Sequence, residues 1–311
     1  MTRPDGGRRV ACAALTYLAE PANLVLGGLL QVLAPDHVLA CIRSGVIPAG
    51  AADALDDAQA AGLGPALSIW RARLPAIPPD AGLTAHASRG IALVCPGDPG
   101  WPPQLGDLGT ARPYALWVRG TADLRSCCAR SVAIVGARAA TAYGAHVSAD
   151  MAAALGASGW TVVSGGAYGI DAAAHHGALA VGGVTVAVLA CGPDVAYPRA
   201  HRGLLADVAA AHGAVISQWP PGTPPARRRF LVRNRVIAAL AGGTVVVEAA
   251  PRGGTLATAR YASDLGRPLM AVPGPVTSAM SAGCHALLRE QRAACVTSAA
   301  DVTARLRATL P

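Results

Sequence analysis

The sequence predicts a doubly wound α/β fold on a mostly parallel sheet, preceded by a small helical N-terminal domain. Three observations carry this. Short runs rich in Val, Ile and Thr recur between residues 132 and 273, and Ala-rich stretches of helical length separate them. Those runs are continuously apolar rather than alternating, the pattern of strands covered on both faces and therefore of βαβ units. With 311 residues, 52% of them apolar, the chain is long enough to bury a sizeable core.

In chain order, residues 1–80 carry apolar residues at helical spacing, as in LVLGGLLQVLA and HVLACIRSGVI. They are assigned to the helical domain. The Pro-rich stretch LPAIPPDAG, 74–82, marks the boundary, and residues 81–311 form the second domain. IALVCP is a strand, followed by the turn-rich GDPGWPPQLGDL. Further strands are VAIV (132–135), TVVS (161–164), VTVAVL (184–189), AVIS (214–217), TVVVE (244–248) and PLMAVP (268–273). Helices are expected near 144–158, 171–181, 202–212, 232–241, 255–265 and 283–291. Ligands of such sheets sit outside the carboxyl ends of the strands, so the residues after each strand are the candidates for a site.

The net charge is +8, and all 26 basic residues are arginine. A guanidinium binds phosphate bidentately and stacks on rings. A basic balance of this kind points to a polyanion, either nucleic acid or an anionic membrane surface. No apolar run reaches the roughly 20 residues that span a bilayer, and Glu20 and Pro21 interrupt the short apolar patch near the N-terminus. The expectation is a cytoplasmic protein with no membrane partner. The eight cysteines lack metal-ligand spacing, so no metal is expected and buried free thiols are.

At the strand ends, VAIV leads into GARAATAYG. Arg138 stands where a dinucleotide fingerprint would place its second glycine, which argues for an anion rather than for NAD. TVVS leads into the glycine-rich SGGAYGID, 164–171, whose loop suits a phosphate. Asp171 is expected to cap the following helix, and His175 and His176 to pack or hydrogen-bond. Tyr197–Pro198 reads as a rigid structural turn. TVVVE leads into AAPRGGTLATA, a second glycine-rich turn, with Thr255 as cap or ligand contact. Glu248 is open to three roles: acceptor for a base edge, partner of an arginine, or catalytic acid.

The stretch RRRFLVRNR, 227–235, holds five arginines and the chain's one phenylalanine, Phe230. No Asp or Glu lies between Asp207 and Glu248 to neutralise it. The preceding prolines exclude helix, so an extended loop is expected to deliver these arginines to the sheet edge, with a helix starting at RNRVIAALA. Guanidinium groups interleaved with an aromatic ring suit a single strand, with phosphates on arginine and bases on the ring.

These motifs, in this order, resemble the DprA/Smf family, DNA processing protein A. The resemblance rests on VGAR (135–138), SGGAYGID (164–171), AHHGAL (174–179), YP (197–198), RNR (233–235), VVEA (246–249) and AVPG (271–274). It implies an extended Rossmann-like domain that binds single-stranded DNA, forms a homodimer and loads the recombinase RecA onto incoming strands in natural transformation, without catalysis and without a cofactor. It implies DNA contacts from Arg138, from Ser164, Gly165, Gly166 and Gly169, from Arg227 and Phe230, from Arg233, Asn234 and Arg235, and from Gly254, Thr255 and Thr258. The N-terminal segment resembles, by position, the family's small helix-hairpin-helix-like domain.

The rival readings are enzymes. The "lonely guy" phosphoribohydrolases resemble this chain in their glycine-rich turn after a strand, but Thr258 stands where their acid would be. A dehydrogenase would need the missing G-x-G-x-x-G, and a P-loop NTPase would need a lysine in a chain that has none. A metal nuclease would need clustered carboxylates, which the sequence does not show.

Overall fold

A computed structural model describes residues 4–308. Nine strands form one sheet: β1 (Ile91–Val94), β2 (Leu116–Gly120), β3 (Ser131–Val135), β4 (Thr161–Ser164), β5 (Thr185–Leu189), β6 (Ala214–Ser217), β7 (Thr244–Val246), β8 (Leu269–Ala271) and β9 (Ala294–Cys295). Their spatial order is β1-β2-β6-β5-β4-β3-β7-β8-β9. β1 and β2 pair antiparallel, as do β2 and β6. Every other neighbour is parallel. The doubly wound, mostly parallel architecture is the one the apolar runs predict.

Period two sorts the side chains onto the two faces. Ala133 and Val135 of β3 pack on one face with the helix Arg227–Leu240. Val132 and Ile134 pack on the other with the helices Ala142–Ala157 and Ile170–Ala180. Both faces are therefore covered, and all five residues of β3 and of β5 are buried.

Strand β2 carries no expectation from the sequence. Its LWVRG includes Arg119, and the turn-rich residues before it hide it. It joins β1 to the parallel sheet, and Trp117 carries the core of the N-terminal helices onto the sheet. The Trp117 Nε1–H donates to Oγ1 of Thr16 at 3.1 Å. Two 3₁₀ turns, Leu74–Ala76 and Pro79–Gly82, occupy the Pro-rich stretch 74–82.

The stretch 227–235 departs from the expected loop. The helix begins at Arg227, not within RNRVIAALA, and runs to Leu240. Prolines 220, 221, 224 and 225 forbid helix only up to that point. From Ala226 to Ala241 there is neither Pro nor Gly, so the whole arginine run is free to coil.

Strand order also fixes where a ligand can enter. The chain moves from β3 outward through β4 and β5 to β6, then returns to the other side of β3 as β7. The reversal between β3 and β7 opens a crevice at their carboxyl ends.

Candidate nucleic-acid interface

A groove of about 940 Å³ lies at that crevice. Its floor is the turn after β3, Gly136 to Ala139, and one wall is the turn after β7, with Gly253, Gly254, Thr255 and Thr258. The other wall is the helix Arg227–Leu240, which presents Arg227, Phe230, Leu231 and Asn234. Those positions follow i, i+3, i+4, i+7, one face of a helix. Helix geometry thus selects which part of the arginine run meets the groove.

Phe230 is the centre of a small aromatic group. The guanidinium carbon of Arg138 sits 4.9 Å from its ring centroid, a cation–π distance. The Tyr197 ring centroid lies 5.5 Å from that of Phe230, the planes tilted at 50°. Tyr197, expected only as part of a rigid turn, also lines the groove and is 40% exposed. Arg138, Arg227 and Arg228 are exposed, as is Arg252 beside the second glycine turn. Arg252 had no sequence signal beyond standing next to Gly253.

The remaining arginines of the run are drawn into the protein. Arg229 pairs with Glu20 of the N-terminal segment, and Glu20 also accepts from Trp219 Nε1 at 2.7 Å. Arg233 is buried at the groove floor, and its Nη1 donates to the carbonyl oxygens of Gly165, at 2.6 Å, and Val188. Burial pushes its pKa down, while the carboxylate of Asp171 acts the other way. Asn234 donates from Nδ2 to the Gly254 carbonyl at 3.1 Å, tying the helix to the second glycine turn. Arg235 points away from the groove, buried near Tyr114 and Tyr261, and burial lowers its pKa to about 10. Its Nε and Nη2 find no partner among the described residues.

The first glycine loop is closed rather than open. Ser164 Oγ donates to the Ile134 carbonyl at 2.7 Å and is fully buried. Asp171 does not cap its own helix: Gly169 holds that position, and Asp171 lies in the first turn. Its Oδ2 instead accepts from the amides of Gly165, at 3.1 Å, and Ala167. Gly166 and Gly169 have φ of +66° and +76°, which a side chain would resist. A β-carbon at Gly169 would also fall 2.3 Å from the Ala137 carbonyl oxygen.

Glu248 has no arginine partner among the described residues. It is buried and accepts from Thr141, at 2.9 Å from the backbone N–H and 2.6 Å from Oγ1. It thereby anchors the start of the helix that follows Arg138. Thr255 is neither cap nor free: it lies inside the helix Gly254–Asp264, and its Oγ1 donates to the Gly136 carbonyl at 2.9 Å. Thr258 lines the groove but is almost wholly buried. His175 hydrogen-bonds within the core, as expected.

Of the thirteen predicted residues, the groove brings together Arg138, Arg227, Phe230, Arg233, Asn234, Gly254, Thr255 and Thr258. Ser164, Gly165, Gly166 and Gly169 lie just behind it, and Arg235 faces elsewhere.

The family model for DNA recombination-mediator protein A matches residues 92–307. The chain belongs to that family. It is 51% identical over 224 residues to a putative DNA processing protein DprA of Mycobacterium tuberculosis, covering 69% of this chain and 57% of that one. It is 41% identical over 192 residues to the Streptococcus pneumoniae DNA processing protein DprA, covering 62% and 66%. The chain thus spans a little over half the length of the mycobacterial relative. The X-ray structure of the pneumococcal DprA superposes with a TM-score of 0.73 at 31% identity, covering 94% of this chain and 97% of that one. A Helicobacter pylori DprA structure, described for its single-stranded DNA binding mode, superposes with a TM-score of 0.60 at 27% identity, covering 65% and 90%. The family expected from the motifs is the family found, and the extended Rossmann-like fold is shared with the pneumococcal DprA.

Proposed function

We propose that this DprA-family chain binds single-stranded DNA in the groove between β3 and β7 and delivers it to a RecA-type recombinase. The observation that carries the reading is the Arg138–Phe230–Tyr197 group, set in a groove lined by exposed Arg227, with exposed Arg228 and Arg252 next in sequence to its lining residues Arg227 and Gly253. Half-exposed rings offer faces to unpaired bases, and free guanidinium groups offer charge to phosphates. A duplex keeps its bases stacked and would leave Phe230 unused. The H. pylori relative, described as binding single-stranded DNA, supports the same assignment.

In this proposal, Arg138, Arg227 and Phe230 touch the strand. Arg233, Asn234, Ser164, Gly165, Gly166, Gly169, Thr255 and Thr258 shape the groove, and Gly254 lets the backbone approach a phosphate. Arg235 contributes to the helix rather than to the strand. No catalytic step is part of the proposal. Thr141 already holds Glu248, the carboxylate nearest the β7 end.

The division into a helical domain, 1–80, and a binding domain, 81–311, belongs to the same proposal, as do a homodimer and a cytoplasmic location. No helix among the described residues is long and apolar enough to cross a membrane. The test is a gel-shift comparison of single-stranded and duplex DNA at two salt concentrations. The proposal expects tighter binding of the single strand at both. Preference for duplex contradicts it, and failure to bind either, with release of base from a nucleoside monophosphate, turns the reading to the phosphoribohydrolase alternative.

A further inference from the structure

Two more rings stand beyond the groove, on its β4–β5 side. Tyr168 follows Ala167, which lines the groove, and is 48% exposed. His201 meets it edge to face, with ring centroids 4.7 Å apart and planes at 73°. The imidazole is held in turn: Nδ1 lies 3.0 Å from the Gly166 carbonyl oxygen. A carbonyl only accepts, so Nδ1 carries the proton and donates. A T-shaped contact of this kind fixes a tyrosine ring while leaving much of it open to solvent.

The pair is joined to the groove along the chain, since Tyr168 directly follows the lining residue Ala167. His201 is four residues after Tyr197, whose ring already packs on Phe230. Phe230–Tyr197 and Tyr168–His201 are thus two ring pairs joined through the short chain segment 197–201. Arg199, between Tyr197 and the helix Arg202–Ala210, and Arg202 at that helix's start are also exposed. Rings and free guanidinium groups alternate here as they do in the groove.

We propose that Tyr168, braced by His201, is a second stacking platform for a nucleobase further along the strand, with Arg199 and Arg202 near the intervening phosphates. This rests on the single-strand reading of the groove and deepens it. The ligand is an unpaired base of any identity, since every base offers a π-face. The DNA leaves the groove over the 197–202 segment, and the bound length exceeds what the groove alone accommodates.

The test is equilibrium binding of oligothymidylates of increasing length, from about 4 to about 16 nucleotides, to the full chain and to Tyr168→Ala, Tyr168→Phe and Phe230→Ala. Thermal denaturation confirms that each variant is folded. Tyr168→Ala is expected to bind the shortest strands as wild type does and to lose about 5- to 50-fold on the longer ones. Tyr168→Phe should retain wild-type affinity at every length, and Phe230→Ala should weaken all lengths. Wild-type affinity of Tyr168→Ala at every length, or equal loss at every length, overturns the second platform while leaving the groove intact. Wild-type behaviour of Phe230→Ala throughout overturns the groove itself.

Discussion

Asp171 and Arg233 both close on the backbone of Gly165. A β-carbon there would fall 2.3 Å from Nη1 of Arg233 and 2.7 Å from Oδ2 of Asp171. The carboxylate takes the Gly165 amide and the guanidinium takes the Gly165 carbonyl. The glycine loop after β4 is therefore a structural joint between the helix Ile170–Ala180 and the helix Arg227–Leu240, set beneath the groove. Gly165→Ala must displace a buried charged group, and it should destabilise the fold by about 2 kcal/mol or more in urea denaturation. A variant as stable as wild type would show that the joint yields freely.

Arginines of the same run should answer substitution in opposite ways. Arg233→Ala leaves two carbonyls and Asp171 without their buried cation, and should cost about 3 kcal/mol of stability. Arg227→Ala removes an exposed side chain, and should change stability by no more than about 0.5 kcal/mol. Denaturant titration of the two variants checks both. Equal losses would mean that the helix phase is not as described.

Arg235 is buried with two N–H groups unpartnered among the described residues. An apolar side chain of similar length avoids that desolvation cost. Arg235→Met should leave stability within about 1 kcal/mol of wild type or raise it, with DNA affinity unchanged. A loss of about 3 kcal/mol would reveal a partner that matters more than burial does.

His175 predicts a pH dependence. Thr185 donates its hydroxyl to the Val162 carbonyl at 2.8 Å, so its oxygen accepts from His175 Nδ1, also at 2.8 Å. The other ring nitrogen, Nε2, is buried without a partner among the described residues. Burial accordingly pushes the pKa from 6.5 down to about 3. Between those values the unfolded chain binds a proton that the folded protein excludes. The contribution is fully present above about pH 6.5 and is lost as pH falls toward 3, by up to about 1.4 kcal/mol per pH unit. The stability difference between wild type and His175→Gln should shift accordingly between pH 7 and pH 4. A difference independent of pH would contradict the assignment.

The parallel strands were readable because burial on both faces leaves a local signature, a continuous β-branched run. The arginine run was readable as chemistry but not as geometry. Five identical side chains in nine residues give no hint of which will face solvent. The fate of each depends on helix phase and on partners far away in sequence. Arg229 ends on Glu20, and Arg233 on carbonyls after β4 and within β5. Asp171 looked like a cap because it precedes an Ala-rich helix, yet the loop it closes lies before it. Tyr197 looked like part of a turn, since nothing local reports that its ring meets Phe230.

The most direct test is the salt dependence of single-strand affinity for wild type, Arg138→Ala and Phe230→Ala. Log affinity should fall linearly with log salt, at about 0.7 per neutralised phosphate. Arg138→Ala should reduce that slope by about 0.7, whereas Phe230→Ala should weaken binding with the slope unchanged. Wild-type affinity and slope in both variants would contradict the account, because the strand would then bind without touching the pair at the centre of the groove.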